Sequence, residues 1–203
     1  MSASSPSLDA SPLTIPVVLG SVRQNRLSER PAHLLADRLT AAGCRAPLVD
    51  LRALDLPVFG QRPDQDQLPA VVELQAVMVA ADAVVWLTPE YNHGYTSAVK
   101  NAVDYLHAEL RRKPMAVCGL SGGNLGGVRA VEQLKLVLIE MHALPIRDSV
   151  YFSDARGLFD ERGELVRPEF VGRIDDMAAE LAWYARVLAW GRSDVPLPVK
   201  SRR

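Results

Sequence analysis

The sequence predicts a doubly wound α/β sandwich, a five-stranded parallel sheet with helices on both faces. Three observations predict it. Short apolar runs alternate with segments of helical period five times along the chain. The central run, Ala83-Val84-Val85-Trp86-Leu87, is apolar at every position, as in a strand buried on both faces. The 203 residues, 48% hydrophobic and 23% charged, suit one globular domain with its own core. Parallel strands need helical crossovers, and right-handed crossovers place helices on both faces.

The elements follow in order. Ile15–Leu19 is a short buried strand that stops at Gly20. Ser28 can cap a helix to about Ala42, with Pro31 tolerated in its first turn and Gly43 ending it. Pro47–Leu51 is the second strand. Arg52 to Leu68 carries Pro57, Gly60 and Pro63 and reads as a long surface loop. Pro69 opens a helix to about Ala81, and Ala83–Leu87 is the third strand. Ser97–Leu106 is helical, with Ala98, Val99, Ala102, Val103 and Leu106 on one face. Pro114–Gly119 is strand four, and Val128–Met141 is the helix after it. Leu144–Ile146, resuming near Val150, is strand five, and Pro168 to about Ala189 is the last helix. Residues 1–14 and 191–203, rich in Ser, Pro and charge, read as disordered tails around one domain at 15–190.

Composition excludes several classes. Lys plus Arg is 23 and Asp plus Glu is 24, a formal net charge of -1, which rules out a strong electrostatic case for nucleic acid. The same balance disfavours a strongly acidic carrier protein. Cys44 and Cys118 form no CxxC pair, which fits a reducing cytoplasm. His33, His93, His107 and His142 show no metal-ligand spacing, so no metal is expected. The N-terminus lacks the basic and apolar regions of a secretory signal, and no apolar run approaches the roughly 20 residues that span a bilayer.

Ligands in such sheets bind beyond the carboxyl ends of the strands. Three loops there carry the chemistry. The first, Gly20 to Ser28, joins a strand to a helix N-terminus and holds Ser21, Arg23, Arg26 and Ser28. Hydroxyls, amides and guanidinium forks suit a phosphate; the alternative is an ordinary turn with solvated arginines. The loop lacks GxxxxGK[ST], and no GxGxxG follows a strand, so a mononucleotide is favoured over the usual dinucleotide fingerprint. The second loop, Thr88 to Tyr95, mixes polar and aromatic groups after the most buried strand. It suits a flat heteroaromatic ligand, or equally a turn whose tyrosines pack on the sheet rim. The third, Ser121 to Gly127, has four glycines in six positions, which lets backbone amides approach a ligand. Gly119-Leu120-Ser121-Gly122-Gly123 matches GxSxG, but only His142 lies downstream, with Glu140 two positions before it and facing away on a helix. A serine hydrolase is therefore disfavoured.

Together these loops resemble the NAD(P)H-dependent FMN reductase family of flavodoxin-like proteins, which includes quinone, azo-dye and chromate reductases. Pro89-Glu90-Tyr91-Asn92 followed by Lys100-Asn101-Ala102-Val103-Asp104 is similar to that family's PEYN and LKNAID signature. The opening GSVRxxRxS looks like its phosphate loop, and Ser121-Gly122-Gly123 like its third flavin loop. The resemblance spans about Ile15 to Met141. It implies a flavodoxin-like three-layer sandwich with strand order 2-1-3-4-5 and FMN at a homodimer interface, with a homotetramer as the larger alternative. It further implies Ser21, Arg23, Ser28 and Arg26 at the phosphate. Pro89, Glu90, Tyr91 and Asn92 would border the isoalloxazine, and Ser121, Gly122 and Gly123 its other edge. Lys100, Asn101 and Asp104 would fix the loop and subunit contacts. Thr96 stands where many relatives have proline, which is expected to loosen that loop. His93 and Tyr95 are placed toward the substrate side of the ring.

The implied activity is ping-pong hydride transfer from NAD(P)H via FMN to a quinone or similar small-molecule acceptor, such as free flavin, azo dye or chromate. The cofactor carries that chemistry, so no catalytic side chain is named. A flavodoxin-like electron carrier without NAD(P)H activity is the rival reading, disfavoured by Arg23, Arg26 and the charge balance. Arg111-Arg112-Lys113 reads as a solvated basic turn, with contact to a 2′-phosphate as the alternative.

Overall fold

A computed structural model describes residues 11–61 and 63–196. The sheet has strands β1 (Val17–Leu19), β2 (Leu48–Asp50), β3 (Val84–Pro89), β4 (Pro114–Leu120), β5 (Leu144–Pro145) and β6 (Tyr151–Phe152). The order is β2-β1-β3-β4-β5, and every pairing is parallel. The fifth position is split: β5 runs beside the start of β4, and β6 resumes beside its end. This is the predicted three-layer, flavodoxin-like architecture.

The helices are α1 (Glu29–Ala41), α2 (Leu51–Leu54), α3 (Pro69–Ala80), α4 (Ser97–Asp104), α5 (Val128–Glu140) and α6 (Glu169–Asp194). Alternate side chains of each strand feed two separate cores. Val17, Leu19, Val85, Leu87, Ala116 and Cys118 pack with α1 and α6. Val18, Val84, Trp86, Met115 and Val117 pack with α3, α4 and α5. The two central strands, β3 and β4, are buried along their whole length, which is why they read as continuous apolar runs.

Several boundaries differ from expectation. Leu13 and Thr14, expected in the N-terminal tail, belong to the domain. Leu13 is buried, and the Thr14 amide donates to the Asp82 carboxylate at 2.8 Å. At the other end α6 continues through residues 191–194, where Arg192 donates to the Arg112 carbonyl at 2.8 Å. The expectations for residues 1–10 and 197–203 lie outside the described residues. The long loop opens with α2, because Asp50 caps it by accepting from the Arg52 amide at 2.9 Å. Strand β3 extends two residues beyond Leu87, so the second loop starts at Glu90.

Lys113 is not part of a solvated turn. It is buried at the amino end of β4, where its Nζ donates to the Met78 and Val79 carbonyls at 2.6 and 2.8 Å. Those are the last carbonyls of α3, left without helical donors. Burial, with the Arg192 charge beside it, pushes the Lys113 amine down to about 8. Among the described residues no helix is long and apolar enough to cross a membrane.

Candidate functional site

The carboxyl ends of β1, β3 and β4 open into a cavity of about 380 Å³. Ser21, Arg23, Arg26 and Ser28 line it from the first loop. Pro89, Glu90 and Tyr91 line it from the second, and Ser121 and Gly122 from the third. Nine of the predicted residues therefore meet at one place. Asn92 and Gly123 belong to the same loops but do not line the cavity.

The first loop is held close against the sheet. Gly20 has no room for a side chain: a Cβ there would lie 2.4 Å from a Val99 methyl and 2.7 Å from the Leu87 carbonyl oxygen. Thr96 closes the contact. Its hydroxyl donates to the Gly20 carbonyl at 2.6 Å and accepts from the Val99 amide at 3.2 Å, capping α4. The expected loosening at Thr96 is thus reversed. Threonine ties the second loop to the first, a bond proline lacks the hydroxyl to make.

Arg26 has partners within the protein. Its guanidinium grips the Asp50 carboxylate with two bonds of 2.6 and 2.5 Å and also donates to the Ser21 carbonyl at 2.8 Å. Its side chain is only 6% exposed. Arg26 thus braces the loop from inside, while its buried Nε has no hydrogen-bond partner. Burial raises the Asp50 carboxyl, but Arg26 and the Arg52 and Ala53 amides outweigh it and hold the group below its usual range. Asp50 was not anticipated. The signal was present: it ends the strand that pairs with β1, so it emerges beside the first loop.

Two other groups of this loop are left available. Ser28 was expected to cap α1, yet its hydroxyl makes no cap bond. That hydroxyl is buried and has no hydrogen-bond partner. A buried hydroxyl without a partner is costly, and an anion in the cavity would satisfy it. Arg23 is exposed, its guanidinium 5.5 Å from the centre of the Tyr91 ring. The Tyr91 hydroxyl shares a 3.0 Å bond with the Ser21 hydroxyl, joining two loops across the cavity.

The second loop reverses sharply. Tyr91 and Gly94 exchange both backbone bonds, at 2.9 and 3.0 Å, around Asn92 and His93. Both central residues have positive φ, 50° and 70°, the signature of a type I′ turn. Glu90 is locked from the far side by α5. Its carboxylate accepts from Arg129 Nε at 2.7 Å and from the Arg129 amide at 3.2 Å. Burial raises the Glu90 carboxyl, but the Arg129 side chain and the α5 amides prevail and keep it low and ionised. Arg129 also contacts His93 Nε2 at 2.8 Å. A guanidinium can only donate, so that ring nitrogen is the acceptor. Lys100 pairs with Asp104 at 2.6 Å, and Asn101 braces the long loop through the Phe59 amide and the Pro57 carbonyl.

The third loop is shaped by glycine. Gly126 and Gly127 have φ of 60° and 86°, and a Cβ on Gly126 would strike the Tyr151 backbone at 2.6 Å. By contrast a Cβ on Gly122 or Gly123 would meet nothing within 4 Å, so these two face open space. The loop after β6, with Ala155 and Arg156, completes the wall; sequence reasoning missed it, because no motif marks it. Ser121 donates to the Gly123 carbonyl at 3.2 Å. His142 lies at the opposite end of β4, where its carbonyl accepts from the Arg112 amide. The seven-residue strand between them removes the hydrolase reading. Among the described residues no cluster of His, Cys, Asp or Glu could hold a metal.

The residues fit FMN. The orphaned Ser28 hydroxyl and the Arg23 guanidinium suit a phosphate, and Pro89, Tyr91 and Gly122 suit the edge and face of a flat ring. The comparisons agree. The family described as NADPH-dependent FMN reductase matches residues 13–157. An NADPH azoreductase of Bacillus sp. (strain OY1-2) is 30% identical, over 84% of this chain and 94% of its own. A quinone reductase of Pseudomonas putida is 28% identical, over 82% and 93%. Among solved structures, the flavoenzyme NAD(P)H:(acceptor) oxidoreductase FerB of Paracoccus denitrificans superposes with a TM-score of 0.73 at 24% identity, over 86% of this chain and 98% of that one. With its fold and loops in this arrangement, the chain belongs to the NADPH-dependent FMN reductase family.

Proposed function

We propose that this chain passes reducing equivalents from NAD(P)H, through FMN held in the 380 Å³ cavity, to a small-molecule acceptor. Quinones, free flavin, azo dyes and chromate are the acceptor classes. The observation that carries the reading is the buried Ser28 hydroxyl without a partner, in a cavity that the exposed Arg23 also lines. Bound FMN supplies the hydride relay, and the protein supplies binding and electrostatics. Ser21, Ser28 and Arg23 hold the phosphate, while Arg26 fixes their loop through Asp50. Pro89, Glu90, Tyr91 and Asn92 border the ring, Glu90 chiefly through its backbone because its carboxylate belongs to Arg129. Ser121, Gly122 and Gly123 meet the other edge, where the Gly122 and Gly123 amides favour negative charge on the reduced ring. The Ser121 amide and hydroxyl are engaged by the Phe152 and Gly123 carbonyls.

The same reading places the enzyme in the cytoplasm as a homodimer or homotetramer. Val22, Val58 and Phe59 are exposed close to the first loop and Asn101, a position a second copy would cover. Cys44 and Cys118 are unpaired, in keeping with a reducing compartment. The test is anaerobic. The chain is loaded with FMN, free flavin is removed, and NADPH or NADH is added while flavin absorbance is followed. Rapid bleaching, with recovery on adding a quinone, is the expected result. FMN that is retained but never bleached would instead identify an electron carrier.

A further inference from the structure

A second chamber of about 410 Å³ adjoins the first and is walled in part by the same Arg26, Leu27, Ala155 and Arg156. Beyond that shared wall it is lined by Glu29, Arg30 and His33 of α1 and by Phe159. FMN has one phosphate, and the first loop already offers that phosphate its partners. The chamber past the loop therefore has its own chemistry to explain.

That chemistry is cationic and planar. The Arg30 guanidinium lies 5.8 Å from the centre of the Phe159 ring, and Nη1 donates to the Asp160 carbonyl at 3.2 Å. A carbonyl leaves the Arg30 charge uncompensated. Arg156 is exposed at the shared wall. The local acids point elsewhere. Glu29 pairs with Arg26 at 3.5 Å, and the Asp160 carboxylate accepts from the Arg162 and Glu164 amides. Two arginines suit a phosphate, and a guanidinium against a phenyl ring makes a stacking platform for a base. The basic turn at Arg111–Lys113 cannot serve instead, because it lies at the amino end of β4, the far end of the sheet.

We propose that this chamber is an adenosine-phosphate subsite, with Arg30 and Arg156 on the phosphate and Arg30, Phe159 and His33 around the base. The proposal rests on the placement of FMN phosphate at the first loop. Two ligands present this chemistry at that position: the adenylate half of FAD, and the adenosine 2′-phosphate end of NADPH.

The test uses the full chain, comparing wild type with Arg30→Ala, His33→Ala and Arg30→Lys. Flavin-free protein is titrated with FMN and with FAD by fluorescence quenching, and the FMN-loaded protein is assayed for KM with NADPH and NADH. If FAD fills the chamber, Arg30→Ala weakens FAD at least fivefold while FMN stays within twofold. If NADPH fills it, Arg30→Ala raises KM for NADPH at least fivefold and raises KM for NADH, which shares the base but lacks the 2′-phosphate, by a smaller factor. His33→Ala moves the same constant less, and Arg30→Lys recovers part of the loss. The proposal is overturned if all four constants stay within twofold, or if FMN affinity falls as far as FAD affinity. Wild type that retains neither flavin overturns the cofactor reading, and this subsite with it.

Discussion

Replacing Thr96 with valine removes one oxygen and keeps the shape of a side chain that is 4% exposed. Two bonds disappear with that oxygen. The Val99 amide loses its N-cap acceptor at 3.2 Å, which costs about 1 kcal/mol. The Gly20 carbonyl loses a donor at 2.6 Å in a buried setting, which costs about 1–3 kcal/mol. The total is roughly 2–4 kcal/mol, or a fall in Tm of about 5–15 °C for a domain of this size. Thr96→Ser keeps both bonds and should cost under about 1 kcal/mol. Urea melts of the flavin-free chain measure this. The flavin Kd should also rise in Thr96→Val, because Gly20 precedes the phosphate-facing Ser21. Melts of Thr96→Val and wild type that coincide within about 0.5 kcal/mol would refute the claim that this hydroxyl ties the two loops together.

Other outcomes follow from the same geometry. Ser28→Ala should weaken FMN by roughly 10- to 100-fold, the value of a hydrogen bond to a charged group, yet leave the flavin-free chain as stable as wild type. A destabilised flavin-free variant would mean that Ser28 has a structural partner. Arg23→Ala should likewise weaken FMN, with salt dependence reduced; unchanged affinity would count against the site. Asp50→Asn strands the Arg26 guanidinium and should cost about 1–3 kcal/mol, less than a fully buried pair because Asp50 is 25% exposed. The Asp50 carboxyl is held low, so its contribution is present above its unfolded value and lost as pH falls through the folded one. The acid limb of the stability profile should therefore flatten in the variant. Lys113 works in the opposite range. The unfolded chain binds that proton more tightly between about 8 and 10.5, so stability from this group rises with pH across that window and is lost as pH falls through 8. The span is on the order of 3 kcal/mol. Lys113→Met should remove the rise, and parallel profiles for the two proteins would refute it.

The sequence by itself determined the layers, the strand order by resemblance, and nine residues that meet in one cavity. The reason is physical: continuous apolar runs in β3 and β4, buried on both faces, and helical stripes between them admit few other packings. Motif spacing then places three loops at one end of the sheet. What a residue does within the site depends on which groups lie across from it, and only the tertiary structure decided that. Arg26 reads as a phosphate ligand, and only the fold brings Asp50 within 2.6 Å of it. Thr96 reads as a loosened proline position until the Gly20 carbonyl meets its hydroxyl at 2.6 Å, 76 residues away in sequence. Lys113 reads as a surface charge until the end of α3 packs over it. Ser28 looks like a helix cap, and only its burial without a partner marks it for a ligand. Local patterns encode what each segment buries; the partners of polar groups come from segments far apart in the chain, and no local pattern records them.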